Sequence, residues 1–594
     1  MAYIGNVSAF ESVGTSDLED GSVTAVKVAA DVATQSELDA VSTVANAALP
    51  KAGGTMTGNI ATKGITSVTL GAGNFVAGST AGDSIVSGGD NNTLIGTNAG
   101  TAVTTGDFNT ALGSQALAQT NTAGQNTAIG GYAMYYNTTG ANNTAVGLQA
   151  LLDNTTASNN TAVGMNALTN NTTGASNVAM GKEALQANTT AGNNTALGYQ
   201  AMLDNTTGAG NTAVGRNSLD NNTTASNNTS VGSLSMHDNT TGASNTAIGT
   251  KSLSSNTTGE ENTAVGEFAL FTNTTANFNV AIGQAALYAN TTGSSNTALG
   301  QKSLYANTTA ASNTGIGYRA LAVNTTGASN TAVGADALTD NTTGASNTAV
   351  GKGAMEVNTT GIQNTANGAG ALQANTTGHY NTAMGWETLH SNTTGSYNTA
   401  AGREALLFNT TGRFNTATGY QALKANTTSE RNTAFGHQAG SNTTTGNGYN
   451  ISIGFEANPT TNTAGNQCTL GNSAISNLRC NDTSISSLSD SRDKTDVIDS
   501  PYGLDFINTV RPVQFLWDTR DGNVKDGTTR VGFIAQELLA ACEGNNATLD
   551  LVLDDNPDKL EAKYGNLLPI MVQAIQELST QNEALAARLT ALEA

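Results

Sequence analysis

Residues 324–340 read NTTGASNTAVGADALTD, and the next residues, 341–357, read NTTGASNTAVGKGAMEV. The phrase repeats without slippage: Asn recurs with a strict 17-residue period from Asn92 to Asn432, and Gly follows four positions later at all 21 of these sites. A strict short period is typical of solenoid proteins, in which each copy forms one equivalent turn and stacks on its neighbours. The repeat therefore predicts a mainly β protein, with a parallel β-roll or β-solenoid shaft over residues 71–480.

Within each copy, the NTAVG segment has the alternation of a short strand. The Thr position becomes Val178 and Val280 in two copies, so we expect it to point inward with the apolar residue two positions later. The residue between them is nearly always Ala, with Gly315 and Ser230 as small exceptions. A position that is almost always small predicts close approach by another surface.

The rest of the copy is expected to complete the turn. A second apolar pair, as in Ala337 and Leu338, would fill the other side of the interior. NTTG is expected to be a turn in which Asn bonds its own backbone and Gly supplies a positive φ. Stacked copies would place identical Asn and Thr side chains in ladders about 4.8 Å apart. Disorder is the competing interpretation of this composition, and the unbroken period disfavours it.

Composition and charge disfavour several classes of protein. Charged residues make up 11 % of the 594 residues, and none of the 6 Pro lies between residues 51 and 458. A net charge of −21 disfavours nucleic acid and anionic membranes, because both attract clustered Lys and Arg. No apolar run approaches the length of a membrane span, and no secretory signal is visible. Three Cys without a CxxC motif predict no disulfide framework, and we expect neither a metal nor a cofactor.

The NTAVG and NVAIG copies resemble the turns of trimeric adhesin head domains, which are parallel β-rolls. This resemblance implies a trimeric shaft. A 17-residue turn is also compatible with a solenoid closed within a single chain.

Residues 1–70 differ from the repeats. The SELD sequence at 36–39 is a helix capping box, and an apolar stripe after it predicts a short coiled coil that ends at Pro50. The alternative is one amphipathic helix packed on its own domain. Residues 49–60, LPKAGGTMTGNI, resemble a recurring segment of bacteriophage tail fibres, which implies a region that attaches to the virion.

At the other end, residues 567–594 predict a long helix with a coiled-coil seam. Apolar residues recur at spacings of three and four, with one Asn in the stripe: Leu568, Met571, Ile575, Leu578, Asn582, Leu585, Leu589 and Leu592. The Asn is expected to select the register and the oligomeric state. The alternative is a lone helix that packs within its own chain.

Residues 481–566 have an ordinary globular composition, and from residue 489 onward the chain carries three motifs. These are SDSRDK at 489–494, VGFIAQE at 531–537 and AIQEL at 574–578. Together they resemble the endosialidase-type intramolecular chaperone domain, peptidase family S74, which ends phage tail spikes, tail fibres and neck appendages. The resemblance implies a domain that trimerises, assists the folding of the preceding β-structure and cuts itself off.

The same resemblance implies Ser489 as the nucleophile, Lys494 as its base, and a cut between Ser489 and Asp490. Gln536 would either donate to the oxyanion or hold a turn. All four His lie in the repeats, so a Ser-His-Asp triad within this domain is excluded, and Lys is the available base if burial lowers its pKa. Ser489 and Lys494 can meet only if the backbone turns between them or a neighbouring chain supplies one partner. The alternative is a polar linker with an incidental Ser and Lys.

These features predict a structural and host-adhesion protein of a phage tail fibre or appendage, made in the host cytoplasm and located on the virion. Its expected partners are two further copies of itself, other virion proteins at the N-terminus, and a host cell-surface receptor, with a glycan as one option. Exposed aromatic residues on adjacent turns are the candidate receptor contacts: Tyr380, Trp386, Tyr397, Phe414 and Tyr420. Packing along the shaft is the competing role for them.

Self-cleavage is the one enzymatic act that this interpretation includes. A tail spike that depolymerises surface glycans is a competing hypothesis, but it requires paired carboxylates, and the repeats show no recurrent pair. A bacterial trimeric surface adhesin and an ice-binding protein with Thr ladders are two further hypotheses.

Overall fold

A computed structural model describes most of the chain and divides it into two compact units, Met1–Asn193 and Asn194–Ala594. The described residues are 71–475, 491–518, 527–554, 556–558 and 560–594. The helix predicted after residue 36 and the fibre-like segment 49–60 lie outside these ranges. Among the described residues, no helix combines the length and the apolar character that a membrane span requires.

The described part of the first unit consists of stacked turns, each with one short strand that pairs in parallel with the strand of the next turn. Thr110 pairs with Thr127 and Thr127 with Thr144, so equivalent positions of successive copies lie side by side. The strands are β1 (Phe75–Ala77), β2 (Thr93–Ile95), β3 (Thr110–Leu112), β4 (Thr127–Ile129), β5 (Thr144–Val146), β6 (Thr161–Val163) and β7 (Val178–Met180).

The second unit begins with the same kind of turn. Its parallel strands are β8 (Thr195–Leu197), β9 (Thr212–Val214), β10 (Thr229–Val231), β11 (Thr246–Ile248), β12 (Thr263–Val265), β13 (Val280–Ile282), β14 (Thr297–Leu299), β15 (Thr314–Ile316), β16 (Thr331–Val333), β17 (Thr348–Val350), β18 (Thr365–Asn367), β19 (Thr382–Met384), β20 (Thr399–Ala401), β21 (Thr416–Thr418), β22 (Thr433–Phe435), β23 (Ile451–Ile453) and β24 (Cys468–Leu470). The predicted parallel β-solenoid with a 17-residue repeat is confirmed in both units.

The strand alternation is as predicted, but the predicted inward face is wrong by one residue. Ala349 is fully buried, whereas Thr348 and Val350 on either side of it face outward. In the turn of Gly315 the middle position has no space for a larger side chain, because a Cβ placed there would lie 2.5 Å from Oγ of Ser303. Leu94 fills this position in an early turn, where Gly100 stands opposite it. The surface that approaches this position is therefore the opposite wall of the solenoid itself.

Leucine and methionine side chains from that opposite wall fill the interior. Ala337 and Leu338 are fully buried, which confirms the predicted second apolar pair. Leu338 has a φ of 51°. This left-handed backbone is unusual for a bulky residue, and Leu, or Met in some turns, takes it repeatedly along both units, where the stacked turns hold it in place.

Of the two features predicted for the NTTG turn, the structure confirms the hydrogen bond of Asn and contradicts the positive φ of Gly. Nδ2 of Asn341 donates to the carbonyl oxygen of Gly344 at 2.9 Å, so the Asn does bond its own backbone. The φ of Gly344, however, lies outside the left-handed region. Positive φ occurs instead at the glycine that ends each strand, as at Gly351 with a φ of 132°. Gly344 has close neighbours: a Cβ there would press on Oδ1 of Asn341 and on the carbonyl oxygen of Gly361.

After the last solenoid strand, the second unit contains small antiparallel sheets and helices. The elements are α1 (Leu504–Thr509), β25 (Val513–Phe515), β26 (Arg530–Gly532), α2 (Ala535–Ala541), α3 (Asn546–Leu549), β27 (Val552–Leu553), β28 (Glu561–Ala562) and α4 (Leu567–Glu593), with 3-10 turns at Ser491–Asp493 and Tyr564–Asn566. Their core consists of Leu538, Cys542, Leu549, Leu551, Val552, Leu567 and Ile570.

Helix α4 covers the predicted C-terminal helix, and it packs within the chain through a face other than the predicted seam. Leu567, Ile570 and Ala574 are buried. The N–H of Leu504, at the start of α1, donates to Oε2 of Glu577 on α4 at 2.7 Å. The seam from Leu568 to Leu592 remains exposed along α4.

Candidate functional site

The motif of the predicted self-cleavage site lies partly within the described residues. Ser489 and Asp490 lie outside them, so the pairing of Ser489 with Lys494 stays a prediction. Residues Ser491–Asp493 form a 3-10 turn, and the N–H of Lys494 donates to the carbonyl oxygen of Ser491 at 3.4 Å. The backbone therefore turns between the two predicted partners, as their meeting requires, and Lys494 itself is exposed.

Gln536 lies in the first turn of α2, on the wall of a cleft of about 620 Å³. Aromatic side chains line much of this cleft, including Phe515, Trp517 and Tyr564. The Tyr564 hydroxyl accepts a hydrogen bond from the N–H of Phe533 at 3.3 Å, which ties β26 to the segment before α4. Lys494 is not among the cleft residues, so the described structure does not bring it together with Gln536.

The predicted receptor contacts Tyr380 and Tyr397 belong to a row that we call the tyrosine ladder. It consists of residues that precede successive strands: Tyr380, Tyr397, Phe414, Arg431 and Tyr449. The rings of Tyr380 and Tyr397 stack at 4.9 Å with an angle of 13°, and those of Tyr397 and Phe414 at 5.1 Å with 9°. Arg431 lies 5.3 Å from the Phe414 ring centre and 5.2 Å from that of Tyr449.

Because the rings of the tyrosine ladder cover one another's faces, the interior members present mainly their edges to solvent. Tyr397 is 50 % exposed, although it lies between Tyr380 and Phe414. A sugar ring stacks on an aromatic face rather than on an edge. The stacking of Tyr397 between two rings therefore favours the competing role, in which these aromatic side chains pack on one another along the surface.

Trp386 belongs to a second row, which we call the mixed ladder and which lies just beyond the carboxyl ends of the strands. Its members follow successive strands: Trp386, Arg403, Tyr420, His437 and Phe455. The guanidinium of Arg403 lies between two rings, 4.7 Å from the centre of Trp386 and 5.9 Å from that of Tyr420. The rings of His437 and Phe455 stack at 5.0 Å.

A buried carboxylate fixes the position of Arg403. Oε1 of Glu404 accepts from Nε of Arg403 at 3.1 Å, and its Oε2 accepts from Nζ of Lys424 at 2.7 Å and from Nε2 of Gln421 at 2.8 Å. The hydrogen bonds from Lys424 and Gln421 lower the pKa of Glu404 below its ordinary value. The charged cluster therefore holds Arg403 against one face of Trp386 at neutral pH.

Sequence reasoning missed several members of these surfaces. Arg403, Arg431, His437 and Phe455 were not predicted, because a search for aromatic residues alone does not detect mixed rows. The available signal was their common 17-residue spacing, which becomes 18 residues where one residue is inserted after Asn432. Among the described residues, no group of His, Cys, Asp and Glu is arranged to hold a metal ion.

Comparison with known proteins finds a match to a family model in one segment of the chain. Residues 489–546 match the model of the peptidase S74 family, whose description is chaperone of endosialidase. No curated protein and no solved structure matches the chain. The matched segment includes Ser489, Lys494 and Gln536, and it ends within α3. The parallel β-solenoid of 17-residue turns and this C-terminal match together fit a tail fibre that carries a C-terminal chaperone domain.

Proposed function

We propose that this chain is a structural and host-adhesion protein of a phage tail fibre or appendage. Its C-terminal domain would drive trimerisation and folding and then cut itself off through Ser489 and Lys494. The observation that carries the proposal is the combination of near-identical, parallel-paired turns with a C-terminal segment that matches a chaperone family. The expected location is the virion, with other virion proteins bound at the N-terminus.

The solenoid gives a physical reason for a chaperone. In β16 and β17 every residue pairs with the identical residue of the next copy, Thr with Thr, Ala with Ala and Val with Val. A slip of one whole copy would therefore change the packing very little. A domain that fixes the starting register would remove this ambiguity, and its later removal would trap the product kinetically.

The exposed seam of α4 supports assembly through this helix. Ile575 is 64 % exposed, Leu585 61 % and Leu589 58 %, at the spacing of a coiled coil. A continuous apolar stripe in contact with water is unfavourable, and three α4 helices packed around a common axis would bury it. Asn582 would then lie in the seam, where a polar residue restricts the register and the number of strands.

The self-cleavage proposal is tested by expressing the full chain beside Ser489→Ala, with Ser491→Ala as the matched control two residues away. We expect the wild type and Ser491→Ala to yield two products, residues 1–489 and 490–594, by denaturing gel and intact mass. Ser489→Ala should yield the uncut chain. Equal products from Ser489→Ala and wild type would contradict the nucleophile assignment.

Assembly is tested separately on the uncut Ser489→Ala chain. Light scattering should give a mass three times the 59.9 kDa of one chain. A monomeric mass would contradict the proposed trimer whatever the outcome of the cleavage test.

A further inference from the structure

Two consecutive turns of the solenoid lack a side chain at a position where the neighbouring turns carry a polar one. Gly353 and Gly370 occupy this position, whereas the turn before has Asp336 and the turn after has Glu387. A cleft of about 240 Å³ lies over the two glycines and extends to Trp386. We call this cleft the glycine notch.

The backbone does not require glycine at these two places. Gly353 has a φ of 63° and Gly370 of 66°, yet Asp336 and Glu387 take values of 57° and 51° at the same position of their turns. Packing does not require glycine either. The atom nearest to a Cβ on Gly353 would be Oε2 of Glu356 at 3.3 Å, and that nearest to a Cβ on Gly370 would be Cγ of Glu387 at 3.3 Å. Both neighbours are flexible side chains, so the main consequence of the glycines is the open space.

That space lies in front of one face of Trp386. Arg403, on the following turn, covers the other face at 4.7 Å and is itself held by Glu404. On the preceding turn the equivalent residue is Ala369, and Gly370 follows it. The methyl group of Ala369 is too small to cover the indole, and Gly370 has no side chain. Trp386 is 43 % exposed. It therefore differs from the interior rings of the tyrosine ladder, because it offers a flat face that is fixed from behind.

Polar side chains surround this face. Nε2 of Gln373 donates to Oε2 of Glu356 at 2.6 Å, and Glu387 and Lys352 complete the rim. Carboxylates and amides of this kind accept and donate hydrogen bonds to hydroxyl groups. The excess of carboxylates over cations disfavours an anionic ligand. The volume is below the usual range for drug-sized ligands, which suits a single ring.

We propose that the glycine notch binds one uncharged pyranose unit of a glycan, with an apolar face of the sugar on Trp386 and its hydroxyl groups on Glu356, Gln373 and Glu387. This inference rests on the proposed host-adhesion function, for which it names the class of ligand. The sequence-based expectation gave the exposed aromatic residues one common role. The present proposal assigns sugar binding to Trp386 and packing to the interior members of the tyrosine ladder.

The test uses the uncut Ser489→Ala chain with Trp517→Phe, which leaves Trp386 as the one remaining Trp of the chain. Its fluorescence is titrated with the methyl pyranosides of glucose, galactose, mannose and N-acetylglucosamine, and with sialic acid as the anionic comparison. We expect a saturable change with at least one neutral pyranoside and a weaker response to sialic acid. A response to none of the neutral sugars would overturn the proposal.

Gly370→Gln should fill the notch and weaken that binding by about tenfold or more, because the indole face becomes covered. Ala285→Gln is the matched control, since it adds the same side chain at the same position of a distant turn, where φ is 54°. Gln373→Ala is a second, smaller change that should also weaken binding. If Gly370→Gln and Gln373→Ala both bind as tightly as the parent chain, the notch is not the site.

The same preparations separate this proposal from the proposed function. The trimer mass of the Ser489→Ala chain reports on assembly, and cleavage of the wild-type chain reports on processing; neither depends on a sugar. If the Ser489→Ala chain forms trimers and the wild type is cleaved, but the fluorescence of Trp386 responds to no neutral pyranoside, the sugar site alone is overturned.

Discussion

Nδ2 of Asn358 donates to Oδ1 of Asn341, one turn earlier, at 2.7 Å, and both side chains are fully buried. Nδ2 of Asn375 donates in turn to Oδ1 of Asn358 at 2.8 Å. This row of amides runs along the interior of the second unit. Each amide accepts from the next turn and donates to the previous one, so the polar groups satisfy one another without water.

Asn358→Asp should destabilise the turns around residue 358. The carboxylate still accepts from Asn375 but cannot donate to Asn341, and it places a charge in the interior. We expect a local loss on the order of 3 kcal/mol. Hydrogen exchange by mass spectrometry should show faster exchange in these turns. Asn367→Asp, at an outward position of β18, is the matched control and should change exchange little; equal effects of the two variants would contradict the interpretation.

Gly351→Ala should disrupt strand stacking, because a Cβ there would lie 2.6 Å from the carbonyl oxygen of Gly368, at a φ of 132°. Gly344→Ala should cost less, although its Cβ would lie 2.4 Å from Oδ1 of Asn341 and 2.4 Å from the carbonyl oxygen of Gly361. The φ of Gly344 is not left-handed, and Ala157 and Ala310 occupy the same position of other turns. There Nδ2 of Asn154 still reaches the carbonyl oxygen of Ala157 at 3.0 Å. We expect circular dichroism to show a larger fall in melting temperature for Gly351→Ala than for Gly344→Ala. A larger effect of Gly344→Ala would contradict these roles for the two glycines.

Ile575→Lys should prevent trimer formation, because it places a charge in the middle of the proposed seam. Gln576→Lys adds the same charge next to it on the exposed side of α4 and should leave assembly intact. Sedimentation of the uncut chain measures both. Trimers of normal mass with Ile575→Lys would exclude the seam as the interface.

The Glu404 cluster should weaken on acidification. The pKa of Glu404 is lowered in the folded chain, first by the hydrogen bond from Lys424 and then by that from Gln421. Its contribution to stability is therefore complete above the unfolded pKa and is lost as the pH falls through the lower pKa of the folded chain. With Trp517→Phe as background, Trp386 fluorescence should report the release of Arg403.

Lys424→Met removes the main cause of the lowered pKa, so the acid transition of Trp386 should move to higher pH. An unchanged transition would mean that Arg403 does not depend on Glu404. Arg413→Met is the control for a change in overall charge, because it removes an exposed cation just before β21.

Repetition made the solenoid predictable, because one period repeated 21 times leaves few structures other than stacked equivalent turns. The S74 resemblance was predictable from three short motifs in order, and the family match of residues 489–546 confirms it. The inward face of the strand was predicted wrongly, because Thr and Val at the outer position read as apolar. The interior had space only for Ala349 once Leu338 filled it from the opposite wall.

For the candidate sites too, some features were predictable from the sequence and others were not. Tyr380, Trp386 and Tyr397 were predictable as exposed aromatics, but their orientation was not. Whether a ring presents a face or an edge depends on what occupies the equivalent position one turn away, a full repeat distant in the sequence. Arg403 on one side and Ala369 on the other distinguish Trp386 from Tyr397, which lies between two rings.

By itself the amino-acid sequence determined the period, the strand positions, the long C-terminal helix and the resemblance of residues 489–546 to the S74 family, since each of these is encoded by local spacing. The tertiary structure alone decided which strand face is buried, where positive φ falls, and that Gly353 and Gly370 open a cleft in front of Trp386. These features depend on the space left between side chains of different turns, and that space exists only once the turns are stacked.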